Sequence, residues 1–146
     1  MNKKYIKYIE YIVNDIEAPY YFNMKETYGL KQDEVDLVLS KLYNQPVTIK
    51  DRSVYDSNGN KIYYESSYES SYESSYGSWV KYEYDDNDNL IYRENSDGSW
   101  IKQVYDDNGN RIYREDSDGF WIKNEYDSND NIIYYEHNNG IIQDNR

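Results

Sequence analysis

The chain has 146 residues and a formal net charge of −12, with 28 Asp and Glu against 16 Lys and Arg. It contains no Cys, which excludes disulfides, thiolate metal sites and a thiol nucleophile, and it has no apolar run near the roughly 18 residues of a membrane span. Its 21 Tyr and aromatic content of 18% argue against disorder and indicate that Tyr supplies most of the buried area.

Charge divides the chain near Asp51. Residues 1–50 hold seven Lys and seven acidic residues, so the whole negative excess lies in residues 51–146. We therefore predict two domains. Residues 1–50 form an N-terminal helical cap, and residues 51–146 form a β-repeat domain rich in Tyr and Asp.

The N-terminal segment predicts three short helices. Apolar residues recur with helical spacing over residues 5–16, and Pro19 ends this stretch. A second helix is predicted over 21–28 and a third over 32–43. The third helix is acidic at its exposed positions, which disfavours a DNA-reading helix and favours a plain cap on the sheet that follows.

The C-terminal segment is an internal repeat with a period of 21 residues. Tyr-Asp pairs begin at Tyr84, Tyr105 and Tyr126, and an earlier unit begins at Tyr55. That first unit is longer because Glu-Ser-Ser-Tyr repeats are inserted at 66–76, and we expect this insertion to protrude. Asn-Gly and Asp-Gly turns separate strands of about six residues, which predicts an antiparallel meander of about eight to ten strands. The predicted fold class is therefore α+β, a helical head followed by a solenoid-like sheet.

The repeat resembles the YD repeat of RHS-type proteins. Residues 105–112 read Tyr-Asp-Asp-Asn-Gly-Asn-Arg-Ile, and Asp118-Gly119 and Tyr126-Asp127 follow. The resemblance covers residues 54–143 and implies β-sheet structure. In that family the repeats imply long shells, often around a toxin domain, and four units are too few to enclose one. A helical head with a few such units is also similar to small proteins of phages and other mobile elements.

Catalytic and metal chemistry find little support in the sequence. The turns at 85–89 and 127–131 resemble the start of a calcium loop, but Leu90 and Ile132 stand where that loop needs Gly. His137 is the only histidine, which removes His-pair metal sites and most catalytic triads. We therefore predict a protein that is not an enzyme and that uses no metal and no cofactor.

Two sets of side chains are predicted to bind a partner. Acidic stripes repel nucleic acid and attract the basic channels that hold it, and Tyr and Trp are frequent at binding hot spots. One Trp per unit is equally what a packed repeat interior requires. The acidic turns contribute Asp85, Asp86, Asp88, Asp106, Asp107, Asp127 and Asp130. The aromatic row consists of Trp79, Trp100, Trp121, Tyr92 and Tyr113.

These features predict a protein-binding inhibitor or modulator from a phage or mobile element. Its partner would be a basic host protein, a nucleic-acid-binding nuclease or effector complex, whose surface it occupies as an anti-CRISPR protein would. We expect it in the cytoplasm of the bacterial host, binding neither nucleic acid nor membrane itself. Two alternatives stay open: a carbohydrate-binding or ligand-binding module, and a structural repeat protein whose acidity only serves solubility.

Overall fold

A computed structural model describes residues 31, 33, 39–40, 43–66 and 78–146 of the chain. Within these residues ten strands form one antiparallel meander in which each strand is hydrogen-bonded to the next in chain order. The strands are β1 (Thr48–Lys50), β2 (Ser53–Tyr55), β3 (Lys61–Glu65), β4 (Trp79–Tyr84), β5 (Leu90–Asn95), β6 (Trp100–Tyr105), β7 (Arg111–Asp116), β8 (Trp121–Tyr126), β9 (Ile132–His137) and β10 (Gly140–Asp144).

The predicted α+β fold class is wrong. Every element with defined bounds in the described residues is a strand, helical backbone is assigned there only at Asp33, Leu39 and Ser40, and the repeat meander predicted from the turns is confirmed. The physical reason is that hydrogen-bonded ladders between successive strands determine the fold from Thr48 onward, whereas helical periodicity in residues 1–50 is a local pattern only. The helices predicted over 5–16 and 21–28 lie outside the described residues, as does most of the third over 32–43.

The chain divides into two compact units, Met1–Val80 and Lys81–Arg146, whereas the sequence placed a boundary at Asp51. In the first unit, β1, β2 and β3 pair through Ile49 with Val54 and Val54 with Tyr63. Its buried apolar residues are Leu39, Val54, Ile62, Tyr63 and Trp79. In the second unit, the side chains that the structure describes are mostly half-exposed, and Asn124 and Tyr134 are buried.

Six turns share one five-residue conformation: 56–60, 85–89, 95–99, 106–110, 116–120 and 127–131. In each, the first N–H donates to the fifth carbonyl, and the fourth N–H donates to the first carbonyl. The fourth residue has positive φ, which Gly adopts without cost and Asp tolerates, as at Gly109 (85°) and Asp130 (61°). A register shift beside three of these turns adds the bulge that accompanies this turn type. The sequence therefore identified the turn residues correctly.

Cross-strand pairing assigns the side chains of the second unit to two faces, because directly opposed residues point to the same side of a sheet. We call one side the tryptophan face. On it, Trp100 lies opposite Glu94, and Lys102 lies between Tyr92 on one neighbouring strand and Glu115 on the other. It continues with Tyr113, Trp121 and Lys123. The arginine face, on the other side, carries Arg93, Gln103, Arg111, Arg114 and Asn124.

Candidate binding surfaces

The acidic turns of the second unit lie at one end of the sheet. In an antiparallel meander, alternate turns return to the same end, so the turns at 85–89, 106–110 and 127–131 form a row. Successive turns in the row are two strands apart, a separation of about 9.5 Å. This arrangement gives the acidic edge its regular spacing.

The first Asp of each turn uses its carboxylate to build the turn. Asp106 Oδ1 accepts the N–H groups of Asn108 (3.0 Å) and Asn110 (2.8 Å), and its Oδ2 accepts from the Asn110 side chain at 3.3 Å. Asp85 and Asp127 accept the same set of hydrogen bonds in their own turns. These three half-exposed carboxylates are therefore hydrogen-bonded to their own turns.

The same hydrogen bonds keep these carboxylates ionised. The backbone N–H of Asn110 is the main cause that lowers the pKa of Asp106 below the ordinary 3.8, and the N–H of Asn131 has this role for Asp127. For Asp85, the Asn89 side-chain amide is the main cause of the lowered pKa. Each of these groups is a charged structural element of its turn.

The fourth Asp of a turn is also engaged. The Asn110 side-chain amide donates to Asp130 Oδ1 at 2.7 Å, which links one turn to the next. Asp88, at the equivalent position of its turn, has a partner as well. One side-chain hydrogen bond therefore links two neighbouring turns of the row, a contact that the spacing of the repeat does not predict.

Only the second position leaves carboxylates available. Asp86 and Asp107 are exposed and form no hydrogen bond or ion pair within the part of the chain that the structure describes. Of the seven predicted turn carboxylates, these two can meet a partner without dismantling a turn. The sequence signal that distinguishes Asp86 and Asp107 from the first Asp of each turn is the Asx-turn pattern. In that pattern, the carboxylate of the first Asp accepts hydrogen bonds from the N–H groups two and four residues further along the chain.

The aromatic row falls into two environments. Trp79 belongs to the first unit and is 8% exposed, so it is a core residue. Tyr92, Trp100, Tyr113 and Trp121 lie together on the tryptophan face and are half-buried. The Lys102 ammonium lies 4.6 Å from the Trp100 ring centre, a distance typical of a cation–π contact.

Each repeat unit has one strand with a glutamate two residues after a tyrosine, a feature that the sequence analysis missed: Tyr63 and Glu65, Tyr92 and Glu94, Tyr113 and Glu115, Tyr134 and Glu136. The hydroxyl of Tyr134 donates to Glu136 at 2.6 Å, and that of Tyr92 donates to Glu94 at 3.4 Å. Burial is the main cause that raises the pKa of Tyr92, and the negative charge of Glu94 adds to it. The recurring Tyr-x-Glu spacing was the available signal, because residues i and i+2 share a strand face.

The described residues contain no group of three or more His, Cys, Asp or Glu side chains placed to hold a metal ion. In the same part of the chain, no helix has the length and apolar character needed to cross a membrane. No protein-family model matches the sequence, and no curated protein matches it either. The proposals below therefore rest on the geometry of the two faces and the turn row.

Proposed function

We propose that this chain is a non-enzymatic protein-binding module whose acidic turn row binds a basic surface of another protein. The observation that carries the proposal is the difference between adjacent carboxylates: Asp86 and Asp107 are exposed and unengaged within the described chain, whereas Asp85 and Asp106 hold their turns. Because the turn-building carboxylates fix the two turns, Asp86 and Asp107 are held in defined positions about 9.5 Å apart along the row. Such an edge is preorganised for a row of Lys or Arg.

The partner follows from the charge. Residues 51–146 carry the full net charge of −12, and a field of that sign steers basic surfaces toward the edge and repels nucleic acid. The partner class is therefore a basic protein that handles nucleic acid, a nuclease or effector complex of a host defence system. In this proposal the chain is a mobile-element protein that acts in the bacterial cytoplasm as an inhibitor or modulator, similar in strategy to an anti-CRISPR protein.

Carbohydrate binding receives less support than protein binding. A sugar needs open ring faces and free polar groups beside them. On the tryptophan face, Lys102 lies over Trp100, and the Tyr92 hydroxyl already donates to Glu94. A sugar would have to displace these contacts, so the turn row is the better candidate surface.

The first test identifies the partner and measures how binding depends on salt. The tagged full chain captures its partner from host lysate, mass spectrometry identifies it, and association is then measured with purified components at two ionic strengths. Steered association between opposite charges slows steeply as salt rises, so we expect at least about a tenfold fall in the association rate between low and physiological salt. Salt-independent association would reject the acidic edge as the binding surface.

A further inference from the structure

One buried oxygen of the second unit has no hydrogen-bond donor among the described residues. Asn124 on β8 is 7% exposed, and its side-chain amide donates to the Arg111 carbonyl at 3.0 Å. That bond fixes the orientation of the amide and leaves Oδ1 buried without a partner. Buried side-chain acceptors are nearly always satisfied, so this one requires a physical explanation.

The preceding repeat contains the same arrangement with its donor present. Gln103 on β6 donates its amide to the Leu90 carbonyl at 3.0 Å, as Asn124 does to Arg111. Its own Oε1 accepts from Arg111 Nη1 at 3.1 Å. The residue that corresponds to Arg111 one repeat later is Ile132, which has no donor.

Register supports this correspondence. Arg111 pairs with Tyr105, two residues beyond Gln103 on the arginine face, and Ile132 pairs with Tyr126, two residues beyond Asn124. Ile132 therefore occupies, beside Asn124, the position on the face that Arg111 occupies beside Gln103. Ile132 is 42% exposed, whereas Asn124 Oδ1 is buried, so a ligand reaches that oxygen by displacing the Ile132 side chain.

We propose that Asn124 Oδ1 is the acceptor of a guanidinium site, occupied by an arginine side chain of the partner that lies beside Ile132. A guanidinium donates planar N–H groups to a carbonyl oxygen and stacks on aromatic rings. Tyr135 lies directly opposite Asn124 and Tyr126 directly opposite Ile132, so both rings are on the same face as the site, and the Tyr126 hydroxyl donates to the Arg111 carbonyl at 3.1 Å. The site is on the arginine face and not in the turn row. The proposal rests on the proposed function in one respect: the arginine comes from the basic partner.

The test uses arginine amide as the probe and the full chain labelled with ¹⁵N. We expect a saturable shift of the Asn124 side-chain amide resonance with arginine amide, and a much smaller one with lysine amide, which carries the same charge without the planar donors. The Gln103 side-chain amide is the internal control, because Arg111 already occupies its oxygen. Equal responses to both amides, or no response of Asn124, would overturn the proposal.

Two variants make the test specific. Ile132→Arg supplies the guanidinium from the chain itself and should abolish the Asn124 response. Arg111→Leu removes the donor at Gln103 and should create an arginine-amide response there. Persistence of the Asn124 response in folded Ile132→Arg, or a silent Gln103 in Arg111→Leu, would contradict the site. Asp107→Lys should leave this titration unchanged, so failure of the guanidinium site and failure of the acidic edge are separately visible.

Discussion

The Arg52 guanidinium donates to the carboxylate of Glu65 at 3.3 Å, and thereby joins a turn residue with positive φ to a fully buried charge. Arg52 also donates to the carbonyls of Glu65 (3.0 Å) and Ser66 (3.1 Å), and the Tyr63 hydroxyl donates to the same carboxylate at 2.7 Å. A positive φ of 58° is unfavourable for Arg, so the contacts with β3 outweigh the backbone cost.

Replacing Arg52 should therefore destabilise the first unit. Removing one partner of a buried ion pair costs about 3 kcal/mol or more, because the remaining charge keeps its desolvation penalty. We expect Arg52→Ala to lower the free energy of unfolding by about 3 kcal/mol. Arg52→Gly should lose about 1 kcal/mol less, since Gly relieves the backbone strain. Urea unfolding measures both.

Lys50→Ala is the matched control, because Lys50 is an exposed cation of the same hairpin. Its effect should stay within about 0.5 kcal/mol. An Arg52→Ala protein as stable as Lys50→Ala would show that the Arg52 to Glu65 contact contributes nothing to the fold.

The turn aspartates predict a defined pH dependence. The pKa of Asp106 is lowered in the folded state by the Asn110 N–H, so its carboxylate stabilises the protein above the unfolded pKa near 3.8, and this contribution is lost as pH falls through the folded pKa. We expect Asp106→Asn to lower Tm at neutral pH and to approach the parent Tm below about pH 3.

Asp107→Asn separates the turn effect from the loss of charge. Asp107 is the next residue and accepts no hydrogen bond within the described chain, so its Tm should follow the parent at every pH. Thermal unfolding by circular dichroism from about pH 2 to pH 7 makes the comparison. Identical profiles for the two Asn variants would refute the turn-building role of Asp106.

Residues 67–77 lie outside the described structure, but their two flanks are joined. The Ser66 N–H donates to the Ser78 carbonyl at 2.7 Å, as the Asn95 N–H donates to the Ser99 carbonyl in the turn between β5 and β6. Ser66 and Ser78 therefore pair as the two ends of the 95–99 turn do. The protrusion predicted for the insertion concerns residues that lie outside those described.

Deleting residues 67–74 should leave the sheet folded. The shortened segment reads Glu-Ser-Ser-Tyr-Gly-Ser-Trp, which matches Glu-Asn-Ser-Asp-Gly-Ser-Trp at 94–100 and restores the 21-residue period. Because the positive-φ position of that turn again holds Gly, we expect unchanged far-UV circular dichroism and cooperative unfolding within a few degrees of the parent Tm. Non-cooperative melting would show that the inserted residues contribute to the core.

The Arg146 guanidinium covers Tyr134 on the tryptophan face. It lies 3.9 Å from the ring centre and forms ion pairs with Asp144 (2.9 Å) and Glu125 (3.3 Å). Arg146→Ala should speed amide hydrogen exchange in β9 and β10, and Arg146→Lys should fall between parent and Ala, because Lys keeps the charge but loses the planar stack. Equal exchange rates in all three proteins would rule out this covering role.

The repeat made the sheet predictable, because turn residues at a fixed period specify strand ends directly. Most of the predicted helical head lies outside the described residues, and the elements from Thr48 onward are all strands, so the α+β class is wrong. The spacing of the repeat predicted where the acidic turns lie. It did not distinguish Asp85, Asp86 and Asp88, because composition does not show the hydrogen bonds inside and between turns. The unsatisfied oxygen of Asn124 was also not predictable, because it depends on which residue lies diagonally across the strands from it.

Charge reversal at the two ends of the sheet tests the central claim most directly. Asp107, the second residue of the turn 106–110, and Asp118, the third residue of the turn 116–120, are both exposed and lie at opposite ends of the sheet. The measurement is the association rate of Asp107→Lys and Asp118→Lys with the captured basic partner at low salt. We predict that Asp107→Lys associates about tenfold more slowly than the parent and that Asp118→Lys stays close to the parent. Equal slowing in both variants would contradict a binding site at the acidic turn row and leave only the overall charge of the protein.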